Sequence, residues 1–270
     1  FANQDGNTAQ ELYNDDIFVG YRYYDTFGVD VSYPFGYGGS YTSFAMSTKS
    51  VKADKDKVTV QVKVKNTGTV SGKEVAEVYF SAPDGELDKP YQELAGYAKT
   101  DELAPGESQI LTISFDTKEM GSYDTDKAAY VMEDGDYIIR VGNSSRNTHV
   151  AAKLNVAEDT ITEQYSNLMV PVTENDNIEN SDKYPTLEPM TTEGATSITY
   201  DGEANEIAAA KTIEVDFTGY KAPEIIKENE DVTVYTSDTT EEKYLFAKNE
   251  DGATGTVSRV EKGNANSTDY

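Results

Sequence analysis

The sequence predicts an all-β sandwich, preceded by an aromatic arm and followed by an acidic, partly irregular extension. Three observations predict it. Apolar residues alternate with polar ones over several short segments, these segments recur at even spacing between about 43 and 156, and turn residues separate them. About seven short strands in so short a stretch is the pattern of two packed antiparallel sheets.

The clearest strand is KVTVQVKVKN. Val58, Val60, Val62 and Val64 fall on one face, and Thr59, Gln61 and Lys63 on the other. NTGTVSG at 66–72 follows as a turn, and EVAEVYF at 74–80 as the next strand. After the breakers Pro83, Gly85 and Pro90, residues 91–108 form a short irregular strand that ends at the turn Pro105-Gly106. Leu111, Ile113 and Phe115 alternate next. AAYVMEDGDYIIRVGNSS is expected to be two strands about an Asp134-Gly135 hairpin, with Tyr137, Ile139 and Val141 facing inward. A last strand carries Val150, Ala152, Leu154 and Val156 on one face. Apolar faces of this length bury enough surface, at about 25 cal/mol per Å², to fold without metal or disulfide.

On either side of these strands the texture differs. Ile17, Phe18 and Val19 run into the aromatic string GYRYYD at 20–25, expected to be a short buried strand. SYPFGYGGSYTSF at 32–44 is a glycine-bent loop whose rings cover a neighbouring surface. Residues 173–194 are polar, acidic and proline-punctuated, as an extended linker would be, and the segments beyond carry weak strand or helix signals.

Composition narrows the function classes. The chain has 270 residues, compatible with two units, and 20 Tyr but no Trp or Cys. Disulfides, thiolate nucleophiles and thiolate zinc sites are therefore excluded, while the redox compartment stays open between a bacterial cytosol and a bacterial exterior. Forty-nine acidic and 23 basic side chains give a formal charge of -26, which repels phosphate backbones and anionic bilayers, so no nucleic-acid and no membrane partner is expected. No stretch approaches the roughly 18–20 apolar residues of a membrane span. The chain begins at Phe1 without a signal-peptide pattern, as a processed or excised piece would.

DIFVGYRYYDTFGVDVSYPFGYGGSYTSF at 16–44 resembles the junction in family 3 glycoside hydrolases at which their α/β sandwich domain ends. The departure is Gly39, where the family has Leu. VKNTGTVSGKEVAEVYFSAP (64–83), ELAGYAKTDELAPGES (93–108) and GDYIIRVGNSS (135–145) resemble that family's fibronectin-III-like domain. The resemblance implies a fibronectin-III/immunoglobulin-like β-sandwich at 43–156 and the terminal segment of an α/β sandwich domain at 1–42, while the change of texture beyond gives a linker at 157–194 and an extension or small β-rich segment at 195–270. It also implies membership in a retaining, exo-acting hydrolase of terminal β-linked sugars, with the catalytic barrel and α/β domains of the same enzyme as partners and oligo- or polysaccharide as substrate. The family's nucleophilic Asp lies in the barrel and its acid/base Glu well upstream of the GYRYYD string. Neither motif has a match here. Residues 163–189 resemble the connector of circularly permuted members, so residues 195–270 either lead toward a barrel or replace it.

Residue by residue, the bland readings outweigh the catalytic ones. A retaining glycosidase needs two carboxyl groups about 5–5.5 Å apart, one of them with a raised pKa. The adjacent pairs Asp15 with Asp16 and Asp134 with Asp136 fall on turns, where solvent keeps carboxylates ionised. His149, the one histidine, sits beside an edge strand as a surface or turn-bonded imidazole rather than a general base. The run ENDNIENSD at 174–182 offers oxygens to calcium but lacks the central Gly and closing Glu of an EF-hand, which leaves a solvated acidic segment. YRYYD is read as a domain lock rather than a sugar platform, with Arg22 and Asp25 paired to each other. The sequons at Asn143 and Asn266 carry little weight. No catalytic residue, cofactor or metal ligand is assigned. The rival readings are a carbohydrate-binding or adhesion module whose tyrosines stack on polysaccharide, and a small β domain at 195–270 serving assembly or display.

Overall fold

The structure is a computed structural model that describes residues 14–165 and 189–223, together with the backbone of two short strands at 233–236 and 243–246. Two compact units divide the chain. The first comprises residues 1–163 and 187–223, and the second residues 164–186 and 224–270.

The first unit opens with a short helix, α1 (Tyr21–Thr26), and continues through ten strands: β1 (Phe44–Ala53), β2 (Lys57–Asn66), β3 (Val75–Ser81), β4 (Glu93–Lys99), β5 (Ser108–Asp116), β6 (Ser122–Asp124), β7 (Ala129–Met132), β8 (Gly135–Gly142), β9 (Thr148–Val156) and β10 (Thr160–Gln164). After the undescribed stretch come helix α2 (Glu203–Ala209) and β11 (Thr212–Val215). The described part of the second unit is an antiparallel pair, β12 (Thr233–Thr236) and β13 (Lys243–Phe246).

Two sheets make the sandwich. One has the order β1-β2-β5 and the other β11-β9-β8-β3-β4, while β10-β7-β6 form a third, smaller sheet. The strand alternation is obeyed where it was clearest. Val58, Val60, Val62 and Val64 of β2 are all fully buried, and Leu111, Ile113 and Phe115 of β5 join them. They meet Ala76, Val78 and Phe80 of β3, Tyr137, Ile139 and Val141 of β8, and Leu154 and Val156 of β9 in one continuous core. Each such aliphatic or aromatic side chain contributes about 1.5–3 kcal/mol by leaving water. This is the fibronectin-III-like sandwich that the alternation and the resemblance predict.

The turns follow their side chains. Asp54 accepts the backbone N–H groups of Asp56 and Lys57, each at 2.9 Å, and closes the β1-β2 hairpin. Asn66, fully buried, donates its amide to the carbonyls of Val70 and Leu103, both at 2.8 Å, and so folds the 66–72 turn back onto the Pro105-Gly106 turn.

Two local expectations are corrected. GYRYYD is a helix rather than a strand, because Tyr21, Arg22, Asp25 and Thr26 all have partners on the sandwich, and only the helical period puts residues i, i+1, i+4 and i+5 on one face. Asp134-Gly135 is not the tip of a hairpin. It sits between β7, which pairs with β6, and β8, which pairs with β9 and β3. β8 already has β3 on one edge and β9 on the other, which leaves no edge for β7.

β11 extends the larger sheet by pairing in parallel with β9, Thr212 opposite Lys153 through Val215 opposite Val156. Ile213 and Val215 pack on the core from there. Residues 189–217, which contain α2 and β11, thus lie on the sandwich as a strap.

Candidate functional site

An antiparallel sandwich normally leaves the outer face of each sheet to water. The outer face of the five-stranded sheet here is polar yet buried. Glu77, Tyr79 and Ser81 of β3 and Arg140 of β8 are each less than a tenth exposed. The covering is supplied by the arm (residues 14–42) from one side and the strap from the other.

The arm is seated by α1 and the glycine-bent loop after it. The Tyr21 ring stacks on Phe35, centroids 4.6 Å apart, and meets Tyr79 edge-on. Its hydroxyl accepts the Leu94 N–H at 2.8 Å. Burial pushes the Tyr21 phenol above its ordinary value. Asp25, 1% exposed, accepts the Arg146 Nε–H at 2.9 Å and the Gln92 amide at 3.3 Å. Arg146 also donates Nη2–H to the Val29 carbonyl at 2.6 Å and to that of Tyr24 at 3.2 Å. Arg22 pairs with Glu93 at 3.1 Å. Burial raises the Glu93 carboxyl, and the guanidinium works against that rise. Thr26 Oγ1 accepts the Tyr91 N–H, and the Phe35 carbonyl the Ser145 N–H, each at 2.8 Å.

The strap is pinned by two glutamates of α2. Glu203 reaches Arg140 Nη1 at 2.6 Å and accepts the Tyr91 hydroxyl at 2.6 Å, while Arg140 lies over the Tyr91 ring at 4.9 Å. Arg140 Nε–H is donated to Ser81 Oγ at 2.8 Å. Glu206 accepts the Val150 N–H at 2.9 Å and the Tyr200 hydroxyl at 2.8 Å, and stands 3.0 Å from His149 Nδ1. Desolvation alone would raise Glu206, but these three donors hold its carboxyl below the usual range. Its contribution is therefore complete above the ordinary carboxylate pKa and is lost as pH falls through the lowered one. Burial, reinforced by Glu206, pushes the Tyr200 phenol up to about 12.

The expected pairing of Arg22 with Asp25 does not form. Arg22 goes to Glu93 at the start of β4, and Asp25 to Arg146 in the loop between β8 and β9. Asp15 and Asp16 lie in the turn before α1, Asp16 exposed with φ 47°. Asp134 is exposed. Asp136 faces Asn155 at 2.8 Å and Lys153 at 3.1 Å, which hold it below the usual range, opposite to what a general acid requires. His149 is solvent-exposed and occupied by Glu206. Asn143 is tied to Glu74 and Asn147, and the two serines after it are buried, so its amide is not free to carry a glycan. The acidic run at 174–182 and Asn266 lie outside the described residues. Among the described residues, no helix is long and apolar enough to cross a membrane.

Tyr91, Gln92, Arg140, Arg146, Glu203 and Glu206 were not singled out by the sequence. The one available signal was a charged or phenolic residue at a position whose strand neighbours are all apolar, as at Arg140 in YIIRVG.

Among the described residues, the arrangement offers contacts that hold chain segments together. Residues 74–145 match the fibronectin type III-like domain family. A β-glucosidase of Ruminococcus albus is 42% identical over 173 residues, covering 62% of this chain but 18% of that protein. β-Glucosidase A of Butyrivibrio fibrisolvens is 41% identical over 59% of this chain and 22% of its own length. Among solved structures, a β-glucosidase of Paenibacillus barengoltzii superposes with a TM-score of 0.59 at 45% identity, covering 62% of this chain and 20% of that one. β-Glucosidase 3B of Thermotoga neapolitana gives 0.52 at 45% identity, over 55% and 20%. The chain thus spans about a fifth of the length of these relatives, and what it shares with those β-glucosidases is a segment whose residues 74–145 form a fibronectin type III-like domain.

Proposed function

We propose that this chain supports a retaining, exo-acting β-glycosidase by presenting the arm as the surface on which the catalytic domains pack. One observation carries the reading. Val19, Tyr24, Tyr33, Phe35, Tyr37 and Tyr41 are all substantially exposed, and all lie within the arm. Large apolar side chains gathered in one short segment mark an interface. The ion pairs described above hold the arm on the sandwich, so a catalytic domain resting on these rings is oriented through them. In this reading residues 1–42 are the end of the α/β domain and 43–156 the sandwich proper, to which the linker 157–194 lends β10 and the extension 195–270 lends α2 and β11. The substrate is a terminal β-linked sugar of an oligo- or polysaccharide, handled by residues outside this chain.

The test is turnover of nitrophenyl β-glucoside. The chain alone is expected to give none. Hydrolysis that persists after any co-purified catalytic chain has been removed would overturn the reading. A second reading, a carbohydrate-binding module, draws on the same exposed rings, since Tyr33 and Tyr37 lie 5.1 Å apart. Titration with soluble xylan and cello-oligosaccharides separates the two, because saturable binding by the isolated chain favours the module and silence favours the interface.

A further inference from the structure

Glu77 is a buried acid without a cation. Its carboxyl lies on the outer face of β3, 6% exposed, directly against Gly36 of the arm. The approach is so close that a Cβ at Gly36 would stand 2.3 Å from Oε2. The Tyr79 hydroxyl donates to its Oε2 at 2.7 Å. The groups around it give no compensating positive charge. Glu74, just ahead of β3, adds a like charge. Across from Glu77 on β4 is the exposed Tyr97, and on β8 Gly142, which has no side chain. One register step further are Lys99, which is exposed, and Arg140, which is committed to Glu203. From the arm, Arg22 is held by Glu93, Asp25 by Arg146, and Tyr21 meets Tyr79 rather than Glu77. Among the described residues, Glu77 forms no ion pair.

We infer that Glu77 is a proton-operated latch beneath the arm: the protonated carboxyl lets the Gly36 loop stay seated, and ionisation loosens it. Burying a carboxylate under a glycine loop is costly unless charge or several donors compensate, and one phenol is not enough. Burial accordingly raises the Glu77 carboxyl from its ordinary value in the seated arm, against the opposing pull of Tyr79. The seated state then binds more protons than the released state. Seating is fully favoured below the released-state pKa and weakens as pH rises through the seated-state one. The inference concerns the chain's own arm and stands whether or not the reading of the whole enzyme does.

The Ser145 amide, which donates to the Phe35 carbonyl, reports on seating directly. Its hydrogen-exchange protection in the full chain, corrected for intrinsic rate, is followed from about pH 4 to about pH 8, the window a raised carboxyl titrates in. Protection is expected to fall about tenfold for each unit by which the seated carboxyl is raised. Glu77→Gln is expected to hold it constant across the window. Tyr79→Phe, which removes the donor that favours the ionised form, is expected to move the midpoint to higher pH. Flat protection in the unaltered chain, or a Glu77→Gln variant that falls in parallel with it, overturns the latch. Should Glu77→Gln not fold, an unmoved midpoint in Tyr79→Phe overturns it equally.

Discussion

Replacing Glu203 by alanine is expected to cost the first unit about 3–5 kcal/mol, the range for removing one partner of a buried ion pair. The Arg140 side chain is 3% exposed and that of Glu203 9%, so the guanidinium would be left in a site sealed by Tyr91 and Ser81. The loss comes mainly from the uncompensated charge rather than from the missing contact. Urea unfolding followed by intrinsic tyrosine fluorescence should show a lower midpoint, and a protease should cut the strap between residues 198 and 211 earlier than in the unaltered chain. Replacing Arg140 and Glu203 together by apolar residues of similar size should recover much of the stability, since both charges are then gone. A double replacement as unstable as Glu203→Ala would argue against the buried-charge account.

Arg146→Ala is expected to release the arm at a comparable cost, about 3–5 kcal/mol of seating free energy, while leaving the sandwich folded. One guanidinium holds Asp25 and two carbonyls of the arm, and Asp25 would keep only the long contact to Gln92. None of these groups belongs to the continuous core between the sheets. Exchange protection should therefore collapse at residues 21–41 and persist in β2, β3 and β8. Arg146→Lys should not rescue it, because an ammonium cannot present the planar fork that reaches a carboxylate and two carbonyls at once. Global unfolding by Arg146→Ala would show that the arm is part of the core rather than seated on it.

Legibility from sequence follows the range of each interaction. The valines of β2 and the alternation in β5 and β8 announce themselves because the inward face repeats every second residue, and the buried Asn66 turn sits where turn residues cluster. The helix at 21–26 was hidden. Three tyrosines in one string after Ile17-Phe18-Val19 look like a buried strand whatever their spacing, and the polar positions that set the period have partners far along the chain, Asp25 on Arg146 and Arg22 on Glu93. The polar outer face was hidden for the same reason. Glu77 in VAEVYF looks like an ordinary solvent-facing position of a half-buried strand, Arg140 in YIIRVG is marked only by its apolar neighbours, and it is the arm and strap lying over them that make both interior. The strap itself is short, weakly periodic and joined to the sandwich through glutamates that any exposed helix could carry.

The backbone contacts of Met190 N–H to the Asn14 carbonyl and of Ile198 N–H to the Asp25 carbonyl, both 2.8 Å, bring positions far apart in the chain side by side. A polypeptide whose two crossing points touch behaves as a closed loop. Closing it has already cost most of its entropy, because that cost grows only slowly with loop length. Such a loop can be grafted into, moved within, or cut and rejoined around a larger protein while its neighbours sense only a narrow gap between the two strands of chain that lead to it. What is joined to the chain outside these two crossing points can therefore change without repacking the sandwich between them.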